Sequence, residues 1–363
     1  MTAGEPAPLS NSIAVVGGGV IGLSLAWRLA QSGWRVTVFD QSKTGGEASW
    51  AAAGMLAPGG EYDEDSPALG FGLASRSLYH SFIEELQKET GSPVDFQENG
   101  ALELAYSAGE LTALEEKAAR QQTLGIPSKA LDVVRVRAFW PRIRHEGLQG
   151  ARFYPEDAIV NPREMTGALR AACVALGVKF SETVRVTSVR IEAERTEIHT
   201  DGGSPILFEA AVIAAGAWSS GIEVTGVPPI PESKPIKGHL IGYHQPEQTC
   251  STIVRHRDVY ALQRANGLLI VGASVQDVGW DRTLQSDIIQ HLCNAAAAIF
   301  PHLAETTPTE VWTGFRPGGT LEVRAWHSPR LWLAYGHYRN GILLAPWTAG
   351  KLAEEINATL GKR

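Results

Sequence analysis

The six residues Gly17-Gly18-Gly19-Val20-Ile21-Gly22 constrain this chain more than any others. They follow a short apolar run, Ile13-Ala14-Val15-Val16, which reads as a buried parallel strand. After them Leu23, Ala26, Trp27 and Ala30 recur at helical spacing, and Gly33 stops that helix. Residues 36–40, Val-Thr-Val-Phe-Asp, make the next strand, so the opening is a βαβ unit with a glycine turn at its first bend. In that context G-x-G-x-x-G predicts a nucleotide site. Gly17 permits a tight turn, Gly19 lets a pyrophosphate approach the backbone, and Gly22 lets helix and strand pack closely. The helix start at Val20 and Ile21 adds unpaired N–H groups and a partial positive charge. Asp40, followed by Gln41, stands where an acid accepts from both ribose hydroxyls and disfavours a 2′-phosphate. The turn alone leaves FAD and NAD equally open.

At 363 residues the chain exceeds one ordinary core, and two domains are expected. A net charge of -7 argues against nucleic acid or an anionic membrane as the main partner. Cys173, Cys250 and Cys293 lie far apart, with neither metal spacing nor the even count of a disulfide framework. Residues 1–12 carry no basic and apolar leader pattern, and no run reaches the roughly 18 apolar residues of a membrane span. Cytoplasmic localisation is expected. Helices are predicted over 75–90, 108–123, 161–176, 284–299 and 342–356, with strands over 178–180, 184–191 and 331–334. A second glycine-ended strand, 212–218, is expected to rejoin the first sheet, placing Gly216 near the nucleotide. Residues 259–263 and 268–271 flank Asn266-Gly267 and predict a hairpin.

Four further segments point the same way. Glu47-Ala48-Ser49-Trp50-Ala51-Ala52-Ala53-Gly54-Met55-Leu56 is rich in small side chains. Asp157-Ala158-Ile159-Val160-Asn161-Pro162-Arg163 follows a D-x-x-[VI]-[DN]-P-R pattern. Trp312-Thr313-Gly314-Phe315-Arg316-Pro317-Gly318 contains G-[LF]-R-P. Gly336-His337-Tyr338-Arg339-Asn340-Gly341-Ile342-Leu343-Leu344-Ala345-Pro346 is a glycine-flanked turn feeding a helix, which aims N–H groups and a positive dipole outward. From residue 13 to 356, in this order, the chain resembles the glycine oxidases of the D-amino acid oxidase family.

The resemblance implies an α/β fold in which a Rossmann-like FAD-binding domain (10–80, 150–225 and 328–363) is interleaved with an α+β substrate domain (81–149 and 226–327) on a mixed or antiparallel sheet. It implies non-covalent FAD, contacted by Ala48, Ser49, Ala53, Gly54 and Met55, by Val184 at the adenine, and by His337, Tyr338, Arg339, Asn340, Gly341, Ile342 and Leu343 at the flavin. A positive helix end suits the N1 edge of reduced flavin. An amino acid brings a carboxylate, and the planar fork of arginine matches it bidentately. Arg316 matches the family's carboxylate-binding arginine, Tyr260 a tyrosine donating to the same group, and Arg339 a second arginine lining the site. The implied reaction is oxidative deamination of glycine or a small D-amino or N-methyl amino acid, with hydride transfer to flavin and oxygen reduced to hydrogen peroxide. No general base is required, and His239, His244 and His337 receive no catalytic role. The glycine imine could supply thiamine thiazole synthesis, and a homotetramer is an implied quaternary state. Two features depart from the family. The D-G-x-P piece expected after Arg316 is replaced by Gly319-Thr320-Leu321-Glu322, and Trp347 stands where alanine is usual, suggesting a reshaped pocket. The alternatives are a D-amino acid or secondary-amine oxidase, a flavin dehydrogenase with another acceptor, and a non-catalytic nucleotide-binding module.

Overall fold

The computed structural model describes residues 11–62 and 66–361. The leaderless reading of residues 1–12 and the outermost limits of the first domain, 10 and 363, fall largely outside them. Among the described residues the strands form four sheets. A six-stranded sheet runs in the order Glu322–Ala325, Leu331–Tyr335, Ala210–Ile213, Ser12–Val16, Arg35–Asp40, Lys179–Glu182. All its neighbours are parallel except the edge strand Glu322–Ala325. The second glycine-ended strand does rejoin the first, with Val15 opposite Val212. One face of this sheet is covered by the helices Val20–Gln31, Pro67–Thr90, Pro162–Ala175 and Gly341–Leu360, whose apolar residues share one core. The four-stranded sheet of Val186–Ile191, Thr196–Thr200, Ile206–Phe208 and Glu223–Thr225 packs on the other face.

The eight-stranded sheet is antiparallel apart from one parallel pair, Ile253–His256 beside Ala101–Ala105. Its longest strands, Ser233–His244 and Glu310–Gly319, pair along their whole shared length. The hairpin Val259–Gln263 and Leu268–Gly272 lies beside them, closed by a turn in which Gly267 takes a φ of +84°. The remaining sheet joins Met55–Leu56, Ala158–Val160 and Phe96–Gln97.

These pairings cross the domain limits expected from sequence. The limit at 80/81 falls inside helix Pro67–Thr90, whose Phe82, Ile83 and Leu86 belong to the core of the six-stranded sheet. Gly150–Tyr154, expected in the first domain, pairs in the eight-stranded sheet, and Glu322–Ala325, expected in the second, pairs in the six-stranded one. Helix Ala108–Thr123 has the predicted ends. Pro67–Thr90 starts eight residues earlier than predicted, because Gly70 and Gly72 dilute its apolar stripe. Ser66 accepts the Leu69 N–H and Pro67 occupies the first turn, an ordinary helix start.

Candidate active site

The glycine turn lies at one end of a cavity of about 1230 Å³ that extends to Arg316. Gly17 has a φ of +109°, and a Cβ there would stand 2.4 Å from the Ala214 carbonyl oxygen. Only glycine satisfies both. A Cβ on Gly22 would stand 1.9 Å from the Gly17 carbonyl oxygen. Gly22 is therefore the close-packing glycine, not a ligand contact, and it does not line the cavity. Gly19 caps helix Val20–Gln31 in extended backbone without a side-chain bond. The Val20 N–H donates to Ser49 Oγ at 2.9 Å, so Ser49, expected at the cofactor, also caps this helix. Asp40 Oδ2 accepts the Gly18 N–H at 2.8 Å, and Oδ1 accepts the Ser42 N–H at 2.8 Å and hydroxyl at 3.0 Å. Those bonds hold the carboxylate in the cavity wall, and its remaining lone pairs can accept ribose hydroxyls. Val184, its N–H held by the Asp40 carbonyl at 3.0 Å, lines the same end with Gln41 and Gly216.

Along the middle of the cavity lie Ala48, Ala53, Gly54 and Met55. The C-terminal segment approaches from the opposite side. Tyr338, Arg339, Asn340, Gly341 and Ile342 line the cavity where helix Gly341–Leu360 begins without a side-chain cap. Leu343, expected at the cofactor, is 1% exposed and belongs to the core. His337 lines the cavity and sets Nε2 against Thr348 Oγ1 at 3.0 Å. Burial pushes its imidazole down to about 3, so the ring is neutral. Helix starts at both ends of the cavity, small side chains between them and an acid at the ribose position together fit FAD. Gly19, Val20 and Ile21 would meet its pyrophosphate, and residues 339–342 its reduced edge.

The far part of the cavity is built on the eight-stranded sheet. Arg316 lies on strand Glu310–Gly319 and reaches across Gly238 of the neighbouring strand, where a Cβ would stand 2.5 Å from both guanidinium Nη atoms. Its Nη1 donates to the carbonyls of Ser274 at 3.0 Å and Lys237 at 3.4 Å. Among the described residues no carboxylate pairs with it, and burial lowers its pKa. A guanidinium held by carbonyls and lacking a counter-charge is suited to receive an anion. Tyr260 lines the same wall with no hydrogen-bond partner for its hydroxyl among the described residues. Burial raises the Tyr260 pKa, against the field of Arg316. Arg339 is ion-paired with Glu61 at 3.2 Å. Among the described residues Arg316 is thus the uncompensated cation of the two.

Other cavity residues were not anticipated from sequence. Glu61 and Gly238 carry no motif of their own. Trp218 and Trp280 stack at 4.7 Å with Phe315 edge-on to Trp280 at 5.3 Å, forming one wall. Two sequence expectations change. Trp347 does not line the cavity but stacks on Phe71 at 4.2 Å, and no residue of 319–327 lines it. The departures at Trp347 and after Arg316 therefore leave the cavity wall untouched. The 157–163 motif is architectural. Asp157 pairs with buried Arg255 at 2.6 Å, Asn161 caps helix Pro162–Ala175, and Arg163 lies 3.8 Å from the Trp50 ring.

The profile of the DAO family, described as FAD dependent oxidoreductase, matches residues 12–355. The chain is 31% identical to the glycine oxidase of Geobacillus kaustophilus (strain HTA426), over 95% of this chain and 92% of that protein. It is 33% identical to the bifunctional protein ThiO/ThiG of Synechocystis sp. (strain ATCC 27184 / PCC 6803 / Kazusa), over 96% of this chain but only 52% of that longer protein. The crystal structure of glycine oxidase from Geobacillus kaustophilus superposes with a TM-score of 0.88 at 30% identity, covering 95% of this chain and 94% of that one.

Proposed function

Because the chain belongs to the DAO family of FAD-dependent oxidoreductases, we propose that it is an amino acid oxidase acting on glycine or another small amino acid. The observation that carries this reading is Arg316, a guanidinium without a counter-ion among the described residues, in the same cavity as the glycine turn. Its fork takes the substrate carboxylate in two parallel bonds, and the Tyr260 hydroxyl donates a third. Arg339, neutralised by Glu61, adds a positioning contact without a second full charge. Bound FAD supplies the acceptor for the Cα hydride and, on reoxidation by oxygen, hydrogen peroxide. The chain's own contribution is to orient and desolvate the substrate. A proton-abstracting side chain is not needed, since the amine binds neutral, and the nearby imidazoles are otherwise occupied. His337 is neutral against Thr348, and His239 Nδ1 lies 2.9 Å from Ser274 Oγ. Among the described residues no cysteine lines the cavity, which supports non-covalent FAD. The imino product hydrolyses in water to an oxo acid and ammonia. The likeness to ThiO/ThiG supports a role in supplying the glycine imine for thiamine thiazole synthesis.

The test is a peroxide assay of the purified yellow protein against glycine, sarcosine, D-alanine, D-proline and larger D-amino acids, with wild type beside Arg316→Ala. Losing one partner of a buried charge pair removes about 2–5 kcal/mol. Arg316→Ala should therefore raise KM by about 30-fold or more while FAD stays bound. Peroxide formation that survives this substitution with KM unchanged removes Arg316 from the site, and a colourless preparation ends the oxidase reading.

A further inference from the structure

We propose that Lys237 is a positioning residue for carboxylate recognition, acting from the opposite face of the sheet to keep the Arg316 guanidinium at its post. This rests on the reading of Arg316 as the carboxylate receptor.

Lys237 and Arg316 sit on paired strands in an alternating register. Ile236 stands opposite Arg316, and Lys237 opposite Phe315. Opposed residues share a face and successive residues alternate, so the two cations leave the sheet on opposite sides. Arg316 crosses Gly238 toward the cavity. The Lys237 ammonium, fully buried, meets Asp281 Oδ2 at 3.1 Å and the Thr283 carbonyl at 2.6 Å.

Both residues converge on the segment that leaves strand Leu268–Gly272. Its first part is a short extension of the sheet: Lys237 and Gln276 exchange backbone bonds of 2.9 Å each way, and Ser274 N–H donates to the His239 carbonyl at 3.4 Å. The Ser274 carbonyl on this extension is the nearer acceptor of Arg316. Beyond Gln276 the chain turns back toward strand Glu310–Gly319, where Trp280 packs on Trp218 and Phe315. Lys237 clasps that return at residues 281–283. The clasp is reinforced by Thr283 N–H donating to Asp281 Oδ1 at 2.9 Å and by Gln285 N–H donating to His239 Nε2 at 3.3 Å.

A buried ammonium is expensive to keep without acceptors, so its two bonds oppose any lifting of the 276–285 return. If the return lifts, the Ser274 extension loses its tether and Arg316 its better carbonyl. A displacement of about 1 Å at a binding group can cost up to ~10²-fold in rate without any change in the reacting atoms. Lys237 touches neither substrate nor flavin. Its removal should weaken carboxylate capture and spare the chemical step.

The experiment compares wild type, Lys237→Met, Lys237→Arg, Asp281→Asn and Arg316→Ala, all loaded with FAD. Acetate, a carboxylate with no amine to oxidise, is titrated against the flavin spectrum, and KM and kcat for glycine are measured alongside. Lys237→Met should raise both the acetate Kd and the glycine KM by about 10-fold, with kcat within about 2-fold of wild type and flavin content unchanged. Lys237→Arg should recover most of the loss. Asp281→Asn, at a half-exposed acid, should shift both constants in the same direction by less, and it keeps the test open if Lys237→Met fails to fold. Unchanged acetate affinity in Lys237→Met and Asp281→Asn overturns the proposal, as does a parallel fall of kcat, flavin content and melting temperature with no rescue by arginine. Arg316→Ala binding acetate as wild type does would instead overturn the carboxylate reading on which the proposal stands.

Discussion

His337 illustrates how a residue can line a reactive cavity without reacting. Its ring is 4% exposed, lies against Thr348, and is held neutral with a pKa near 3 by burial alone. In the unfolded chain an imidazole takes a proton near pH 6.5. Between pH 6.5 and about 3 the unfolded state therefore binds a proton that the folded state refuses. Stability contributed here is complete above pH 6.5 and falls on acidification, by about 1.4 kcal/mol per pH unit. Thermal unfolding at pH 5 should accordingly begin below that at pH 7.5, and His337→Asn should flatten the acid-side slope. If the slope is unaltered in the variant, other groups set the acid sensitivity. The sequence placed His337 at the flavin because its neighbours match a motif, but only burial defines its charge state.

The strand pair Ser233–His244 and Glu310–Gly319 carries the substrate end, yet the bounds of neither strand were legible in the sequence. Ser233–His244 is buried at nearly every position, so it lacks the alternation that marks a half-exposed strand. Glu310–Gly319 contains Pro317, which argues against a ladder position. The structure sets Pro317 opposite Pro235, so neither asks the other for an N–H. Gly238 shows what this pairing is for. Its missing side chain leaves the trough through which Arg316 passes. Gly238→Ala should keep the circular dichroism spectrum of the fold and displace the guanidinium, raising the KM for glycine by about 10-fold or more. A normal KM in a folded Gly238→Ala protein would mean that Arg316 has another path.

Across the whole molecule the cavity separates two packed regions. The helix-covered six-stranded sheet supplies the nucleotide end, and the eight-stranded sheet supplies Arg316 and Tyr260. Direct bonds that cross between them include Trp312 Nε1 donating to the Ala51 carbonyl at 2.9 Å and Arg264 donating to the Ala52 carbonyl at 3.0 Å. A ligand that fills the space between them binds only the folded chain and stabilises it by mass action, about 2.7 kcal/mol at 100 times its Kd. Stripping the flavin should therefore lower the melting temperature, and added FAD should restore it in a concentration-dependent way. A melting temperature indifferent to FAD would be incompatible with this cavity as the cofactor site. No helix among the described residues is long and apolar enough to cross a membrane.

The nucleotide end of this protein was readable in its linear order because its requirements are local. A glycine turn between a strand and a helix, and an acid one strand later, are near neighbours in the chain, and hydrophobic period and turn chemistry mark each of them. The substrate end follows from contacts between residues far apart. Arg316 was found through a local motif, but its lack of a counter-ion among the described residues, the trough at Gly238, the Ser274 carbonyl and the clasp at Lys237 arise only when strands some forty to eighty residues apart lie side by side. Folding likewise moved Trp347, Leu343 and the segment after Gly319 away from the cavity and brought Glu61 and Trp280 to it. A residue's type is written in the chain, whereas its burial, its charge partner and the face it occupies depend on which distant strand becomes its neighbour.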